Sequence, residues 1–428
     1  MEEWLRIKLE KANEHIEKEE YNSAIGIFIE SLELTEVNDE LLQIRNSLAY
    51  LYQNLSEHKN AIKQYNEAFA LIDSKKSKDA LDLENMAHVN ASIASSYMQI
   101  NQLKEANKAL RLAIDGYAQC DQESNSIKAF KAIAHFNLGS SYVSDKKWKL
   151  AKSELKDSLI LHEELIQDGQ ADFLPYAANT NTTLAEVYEE MDDLYTAYVH
   201  LKKACDIFIQ LSSSRPGMYL PYLAANYNNL AINQKQLDYP GKAAQFYEES
   251  LKIYSDLATK SPEVFVPFLA STYNSLGVLY TDLDNKEKGV EYYKKALVIY
   301  SELSDKAANE YLHYKATCLH NLGVIYDELK DYDEAFSYYQ QALEIRKELV
   351  AKEEDSFTLD LCVTVMNMIT LYHTKIEETK DLTLKKSAME LIDDVERRLM
   401  HVEDHLPVIK SMKSDVEYFK EFFSEVTY

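Results

Sequence analysis

Two patterns of apolar and small residues alternate along the chain. The first is Leu–small–x–x–Tyr. It appears as Leu48-Ala49 with Tyr52, Ile93-Ala94 with Tyr97, Leu138-Gly139 with Tyr142 and Leu184-Ala185 with Tyr188. It continues as Leu230-Ala231, Leu276-Gly277 with Tyr280 and Leu322-Gly323 with Tyr326, the starts lying 45, 45, 46, 46, 46 and 46 residues apart. The second is small–x3–aromatic or Leu–x2–small, in the same register. It runs from Ala61, Tyr65 and Ala68 through Ala106, Leu110 and Ala113 to Ala335, Tyr339 and Ala342. A partial copy (Ala24, Phe28, Ser31) precedes the seven full ones, and a decayed copy (Met368, Tyr372, Ala388) follows them.

Positions i, i+1 and i+4 of the first pattern share one helical face, and i, i+4 and i+7 of the second form a stripe on another helix. Each repeat therefore reads as a helical hairpin that can bury its apolar face only against its neighbours. The small residue after Leu lets the two helices cross closely. That role accounts for Gly139, Gly277 and Gly323 inside helices, where glycine costs about 1 kcal/mol relative to alanine. Polar turns such as 282–287 and 328–333 separate the paired helices.

A further periodic motif, Phe173-Leu-Pro175-Tyr176, Tyr219-Leu-Pro221-Tyr222, Phe265-Val-Pro267-Phe268 and Tyr311-Leu-His313-Tyr314, precedes the first pattern. Proline suits a helix's first turn, where its missing N–H costs nothing, so this motif places helix starts near Pro175, Pro221 and Pro267. First helices of about 17–20 residues follow from that placement. One repeat has Gln234 where the others place Tyr. The plain reading is a locally weaker interface; the sharper one is a hinge or a groove contact.

These residues resemble the tetratricopeptide repeat family, whose signature joins Leu-Gly, Tyr, Ala and Phe at these spacings within about 34 residues. The likeness covers roughly residues 5–395 and lacks the family's first-position Trp; the longer period resembles the extended-helix arrays of kinesin light chains and of bacterial repeat proteins. It implies an all-α, right-handed superhelical solenoid of antiparallel helix pairs, with a concave groove lined by first helices. The expected organisation is one array of about nine repeats over 1–400, with a capping helix over 401–428. The tail carries a helical stripe of Ile409, Met412, Val416, Phe419 and Phe422 suited to capping, or to binding a partner or dimerising.

Composition narrows the function. Nine Gly and seven Pro in 428 residues leave few helix breakers, and hydrophobic residues at 46% are enough for a continuous core. The sequence has no stretch apolar enough to span a bilayer and no signal-peptide h-region at MEEWLRIKLE, so it is expected to be cytoplasmic. Cys120, Cys205, Cys318 and Cys362 are scattered, as expected of reduced thiols rather than a disulfide or zinc framework. The net charge of −25 disfavours nucleic acid and anionic membranes and favours basic partners.

The sequence carries no phosphate loop, GxSxG or HExxH, so no enzyme activity and no cofactor or metal is expected. His401 and His405 have metal-like spacing without a third ligand, and read as a solvated face. Cys318 and His320 point to different helix faces. Most of the signature tyrosines read as core.

Under the family's geometry the residues just before the signature Leu face the groove. Asn137, Asn228, Asn229, Asn274 and Asn321 recur there, and an amide can bond a peptide backbone through both its donor and its acceptor. Farther along the same helices, Glu186, Glu189, Glu190, Asp282 and Asp327 form a candidate acidic stripe for a Lys/Arg-rich segment, although such residues near helix C-termini oppose the dipole. The expected function is a scaffold, adaptor or regulatory subunit binding a protein or peptide. The alternative is a peptide-gated switch acting on an effector such as a protease.

Overall fold

Each repeat must reverse its chain between two helices, and in nine places the backbone does so through one residue of positive φ. Residues 3–120, 124–400 and 407–426 are described by a computed structural model of the chain. Among them are nineteen α-helices, two short 3₁₀ turns and no strand. The chain divides into two units, Met1–Pro216 and Gly217–Tyr428. The first holds α1 (Glu3–Glu17), α2 (Tyr21–Leu32), α3 (Asn38–Asn54), α4 (His58–Asp73) and α5 (Ala80–Gln99). It continues with α6 (Leu103–Tyr117), α7 (Asn125–Ser144), α8 (Trp148–Gln167), α9 (Leu174–Glu190) and α10 (Leu194–Ser214). The second holds α11 (Pro216–Gln236, its first residue at the division), α12 (Pro240–Lys260), α13 (Pro262–Asp282), α14 (Lys286–Lys306) and α15 (Ala308–Glu328). It ends with α16 (Tyr332–Lys352), α17 (Glu354–Thr379), α18 (Lys385–Leu399) and α19 (Pro407–Glu425). Within each unit, consecutive helices pack against one another, as in an all-α tetratricopeptide-type solenoid.

The nine turns closing odd-numbered helices each contain one non-glycine residue with positive φ: Glu19, Ser56, Asn101, Lys146, Asp192, Asp238, Asp284, Lys330 and Lys380. In most of these turns the next N–H reaches back five residues to the signature tyrosine's carbonyl, as in Glu57 to Tyr52 at 2.8 Å, Lys147 to Tyr142 at 2.8 Å and Asp331 to Tyr326 at 2.9 Å. This Schellman arrangement satisfies the helix's last carbonyls without a glycine. The repeat with Gln234 uses the same turn, Tyr239 donating to the Gln234 carbonyl at 2.8 Å. Its side chain is buried and bonded to Asn233, so it is no exposed groove contact.

The small residue behind the signature Leu sits where two helices touch. A Cβ on Gly277 would lie 2.6 Å from the Tyr293 ring, one on Gly323 2.6 Å from the Tyr339 ring, and one on Gly139 2.6 Å from Leu155. The rest of each long helix pair is held by rings. Tyr254 stacks on Phe268 (5.5 Å, 14°) and Tyr300 on Tyr314 (5.2 Å, 12°), joining a second helix to the next first helix. Tyr117 with Phe130 and His162 with Tyr176 do the same in the first unit. Such pairs contribute about 0.5–1.5 kcal/mol beyond area burial. They explain both the aromatic motif at the start of α9, α11, α13 and α15 and the long period.

The proline rule misplaced two helix starts. α9 does begin at Leu174-Pro175, but α11 and α13 start at Pro216 and Pro262, leaving Pro221 and Pro267 six residues in. Each of these two helices offers two prolines, and only the earlier one sits where the missing N–H is free of cost. α11, α13 and α15 are accordingly 21 residues long.

At the C-terminal end, α17, α18 and α19 share one apolar cluster. Ile409, Met412, Val416 and Phe419 are buried, as the stripe requires. The fifth fully buried position is Phe423, while Phe422 is half-buried with its ring 4.2 Å from His373. His401 and His405 lie outside the described residues. No helix among the described residues is long and apolar enough to cross a membrane.

Candidate peptide-binding faces

In the first unit, α9 carries Asn179, Thr182, Glu186, Glu189 and Glu190 at i, i+3, i+7, i+10 and i+11, one face of a helix. Beside its upper end, α7 offers Ile133, Phe136 and Asn137. These three line a pocket of about 200 Å³ with His162, Tyr176 and Asn179. Neither Asn137 nor Asn179 makes a side-chain hydrogen bond to another described residue. His162 is 1% exposed, and its Nε2 has no hydrogen-bond partner, while Nδ1 faces Ser158 Oγ at 3.5 Å. Burial lowers the imidazole's pKa to about 4, so it is neutral near pH 7.

Lower on α9, Glu186 is solvent-facing but crowded. That partial desolvation, and then Glu190 four residues on, raise its carboxyl above the usual range. A carboxylate held this way gains from a cation placed beside it. Of the residues singled out from sequence, Asn137, Glu186, Glu189 and Glu190 thus belong to neighbouring helices of one unit. Tyr176, Asn179 and His162 were missed. Tyr176 was visible only as part of a helix-start motif, and His162 only as one exception in a mostly aromatic register (Tyr117, Phe208, Tyr254, Tyr300).

The second unit uses the same slots differently. Asn228 Nδ2 donates to Thr272 Oγ1 at 3.1 Å, 44 residues on, while its buried Oδ1 has no partner. Asn274 Oδ1 accepts from Cys318 Sγ at 3.5 Å, again 44 residues on, and His320 Nδ1 meets Thr364 Oγ1 at 3.3 Å. These bonds stitch α11 to α13, α13 to α15 and α15 to α17. One position nearer the signature Leu, Asn321 meets the buried Tyr293 hydroxyl. Burial pushes that phenol up, and hydrogen bonds from Thr281 and Asn321 pull it back. Ser275 and Asn367 stand in the same relation to Tyr247 and Tyr339. Asn229 makes no such side-chain bond among the described residues. Asp282 pairs with Lys235 at 2.5 Å, and Glu328 with Lys286 at 3.4 Å. Asp327 is half-buried, and desolvation, then Glu328, raises its carboxyl.

One trio among the described residues has metal-ligand chemistry: His135, Glu154 and Asp157, with ligand atoms within 4.8 Å of one another. His135 Nδ1 bonds Glu154 Oε2 at 2.7 Å. At the equivalent places one repeat later, His200 Nδ1 bonds Asn181 Oδ1 at 2.8 Å, a pair that needs no metal. The trio therefore reads as a stitch between paired helices.

Residues 268–348 and 42–74 match models of the tetratricopeptide repeat. The hairpins described above repeat in the same register as these two matched segments, so the fold is that of a tetratricopeptide repeat solenoid. No curated protein matches it by sequence. Among solved structures it is similar to the apo form of RapI, with 15% identity over 72% of this chain and 98% of that one (TM-score 0.48). It is also similar to the C-terminal part of a repeat protein from Cytophaga hutchinsonii, with 17% identity over 68% and 95% (TM-score 0.47). A third likeness is to the kinesin light chain-like repeats of Podosopora anserina, with 18% identity over 53% and 99% (TM-score 0.41).

Proposed function

We propose that this protein is an interaction scaffold of the tetratricopeptide type, and that the α7–α9 face of its first unit grips an extended segment of a partner protein. The supporting observation is the pocket between Phe136, Tyr176 and His162, rimmed by two asparagines with no internal partner and followed along α9 by three glutamates. An apolar anchor side chain fits the pocket, Asn137 and Asn179 bond the segment's backbone, and a Lys or Arg on the segment meets Glu186 and Glu190. Seven residues along a helix span about 10 Å, so the cation follows the anchor by about three residues of extended chain.

Peptide display on the whole chain tests this. Selected sequences should carry an apolar residue with Lys or Arg about three positions away. Asn137→Ala/Asn179→Ala and Glu186→Gln/Glu190→Gln variants should each bind them about tenfold more weakly, about 1.4 kcal/mol. The carboxylate variant should also lose most of the salt dependence. Full affinity in both variants would place the site elsewhere.

A further inference from the structure

We propose that α6 and the turn after α7 form a second binding site, one for a phosphate monoester or free phosphate. Lys104, Lys108 and Arg111 lie at i, i+4 and i+7 on α6, and with Lys147 they surround a pocket of about 360 Å³ backed by Tyr142 and Asn107. Arg111 Nε donates to the Tyr142 hydroxyl at 3.1 Å, and a second donor of the same guanidinium also reaches that oxygen. This fixes the guanidinium at the pocket. Lys104 and Lys108 are exposed and make no ion pair with a described residue. Lys147 bonds Asp145, its neighbour in the turn, at 2.8 Å.

Charge of this sign is out of place here. The chain carries 71 acidic residues against 46 basic ones, yet between residues 101 and 160 the balance is ten basic to seven acidic. The repeat itself supplies a control. The four positions equivalent to Lys104, Lys108, Arg111 and Lys147 are Glu287, Glu291, Lys294 and Asp331 four repeats later. The same scaffold surface therefore carries four cations in one repeat and a net negative charge in another, so the fold does not demand the cluster.

Asn107 is the independent second observation. It lines the pocket, is 8% exposed, and its Oδ1 has no hydrogen-bond partner. Later repeats fill its register with Lys152, Tyr198, Ala244, Val290 and Phe336, none of them an amide. A buried acceptor left unsatisfied costs about 1–3 kcal/mol, and a turn of the Asn107 side chain toward the pocket would let a P–OH donate to it. Two lysines and an oriented arginine lining one pocket match a tetrahedral phosphate with several acceptor oxygens better than a carboxylate, and it is the monoprotonated phosphate that also carries the hydroxyl Asn107 Oδ1 lacks.

Calorimetric titration of the whole chain at fixed ionic strength tests this, with inorganic phosphate and a short phosphoserine peptide as probes. One saturable site is expected, weakened at least tenfold in Lys104→Gln/Lys108→Gln and unchanged in Glu287→Gln. Lys147→Gln, a change confined to an exposed turn side chain, should weaken binding independently, and melting curves in phosphate-free buffer check that each variant is folded. Tighter binding of the peptide would identify the source as a phosphorylated protein; equal binding, as the free ion. No saturable binding of either probe, or equal binding by wild type and both lysine variants, would overturn the proposal.

Discussion

The same first-helix slot is put to different ends in α7 and in the first helices of the second unit. In α11, α13 and α15 the residue two before the signature Leu (Asn228, Asn274, His320) is bonded to the residue 44 positions later. In α7 that slot holds Phe136, which cannot make such a bond, and the amide beside it, Asn137, is left without an internal partner. A repeat array lets one register position serve as a stitch in one place and a contact surface in another, because backbone geometry is set by the Leu–small–Tyr core and the Schellman turn. Polar residues on a first helix therefore cannot be ranked by position alone; each has to be followed to its neighbour.

What the units share should break equally in both. Gly139→Val and Gly323→Val place a branched side chain where even a Cβ would lie 2.6 Å from Leu155 or Tyr339. Overpacking costs of about 3 kcal/mol are expected from each, read as a lower urea midpoint. Gly26→Val, where nothing lies within 4 Å, serves as the control and should not lose stability. A large cost in only one unit would mean that the helix crossing is not the common element it is taken to be.

The repeat and its hairpins were legible because two interlocked periodicities, carried by Leu, Gly, Ala and Tyr, leave one way to bury both faces. The helix starts were half legible, since a proline at position 1 and another at position 6 look alike in sequence. The candidate site was legible only as a set of slots. Asn321 and Asn137 are equivalent in register, and what separates them is the residue 27 or 28 positions earlier. That residue is Tyr293, whose hydroxyl Asn321 meets, in one case, and Leu110, which has none, in the other. The His162 pocket was invisible, because its neutral imidazole depends on burial by rings from two other helices.

A second comparison concerns protons. Burial holds His162 and His200 at about 4 and His320 at about 3, all below the ordinary 6.5. Their folded values are depressed, so the unfolded chain binds more protons across this range. The stability they contribute is present above pH 6.5 and is lost as pH falls toward 4. Glu186 and Asp327, with raised carboxyls, shift in the opposite sense at the acid end of that window. His162→Phe restores the aromatic that Phe208 supplies in the same register one repeat later, and should remove about 2 kcal/mol of the loss between pH 7 and pH 5. Denaturation midpoints at the two pH values measure it. An unchanged pH slope would mean that His162 titrates in the folded chain as it does in the unfolded one, so that burial does not hold it neutral.

The smallest effect discriminates best between the two uses of the slots. Thr272→Val keeps the side chain's shape but removes the acceptor for Asn228, whose carbonyl is already without a partner. Stranding a buried amide in this way should cost about 1–2 kcal/mol. Asn137→Ala removes an amide that bonds nothing inside the protein, so its stability should stay within about 0.5 kcal/mol of wild type. Peptide binding should respond in the reverse order, with Asn137→Ala weakening it and Thr272→Val leaving it intact. Chemical denaturation and peptide titration of the two variants side by side decide the matter. If Asn137→Ala destabilises the fold as much as Thr272→Val does, the first unit's amide is also a stitch. The contrast between the units would then lie in which neighbour is bonded, and the α7–α9 face would lose its claim as the contact surface.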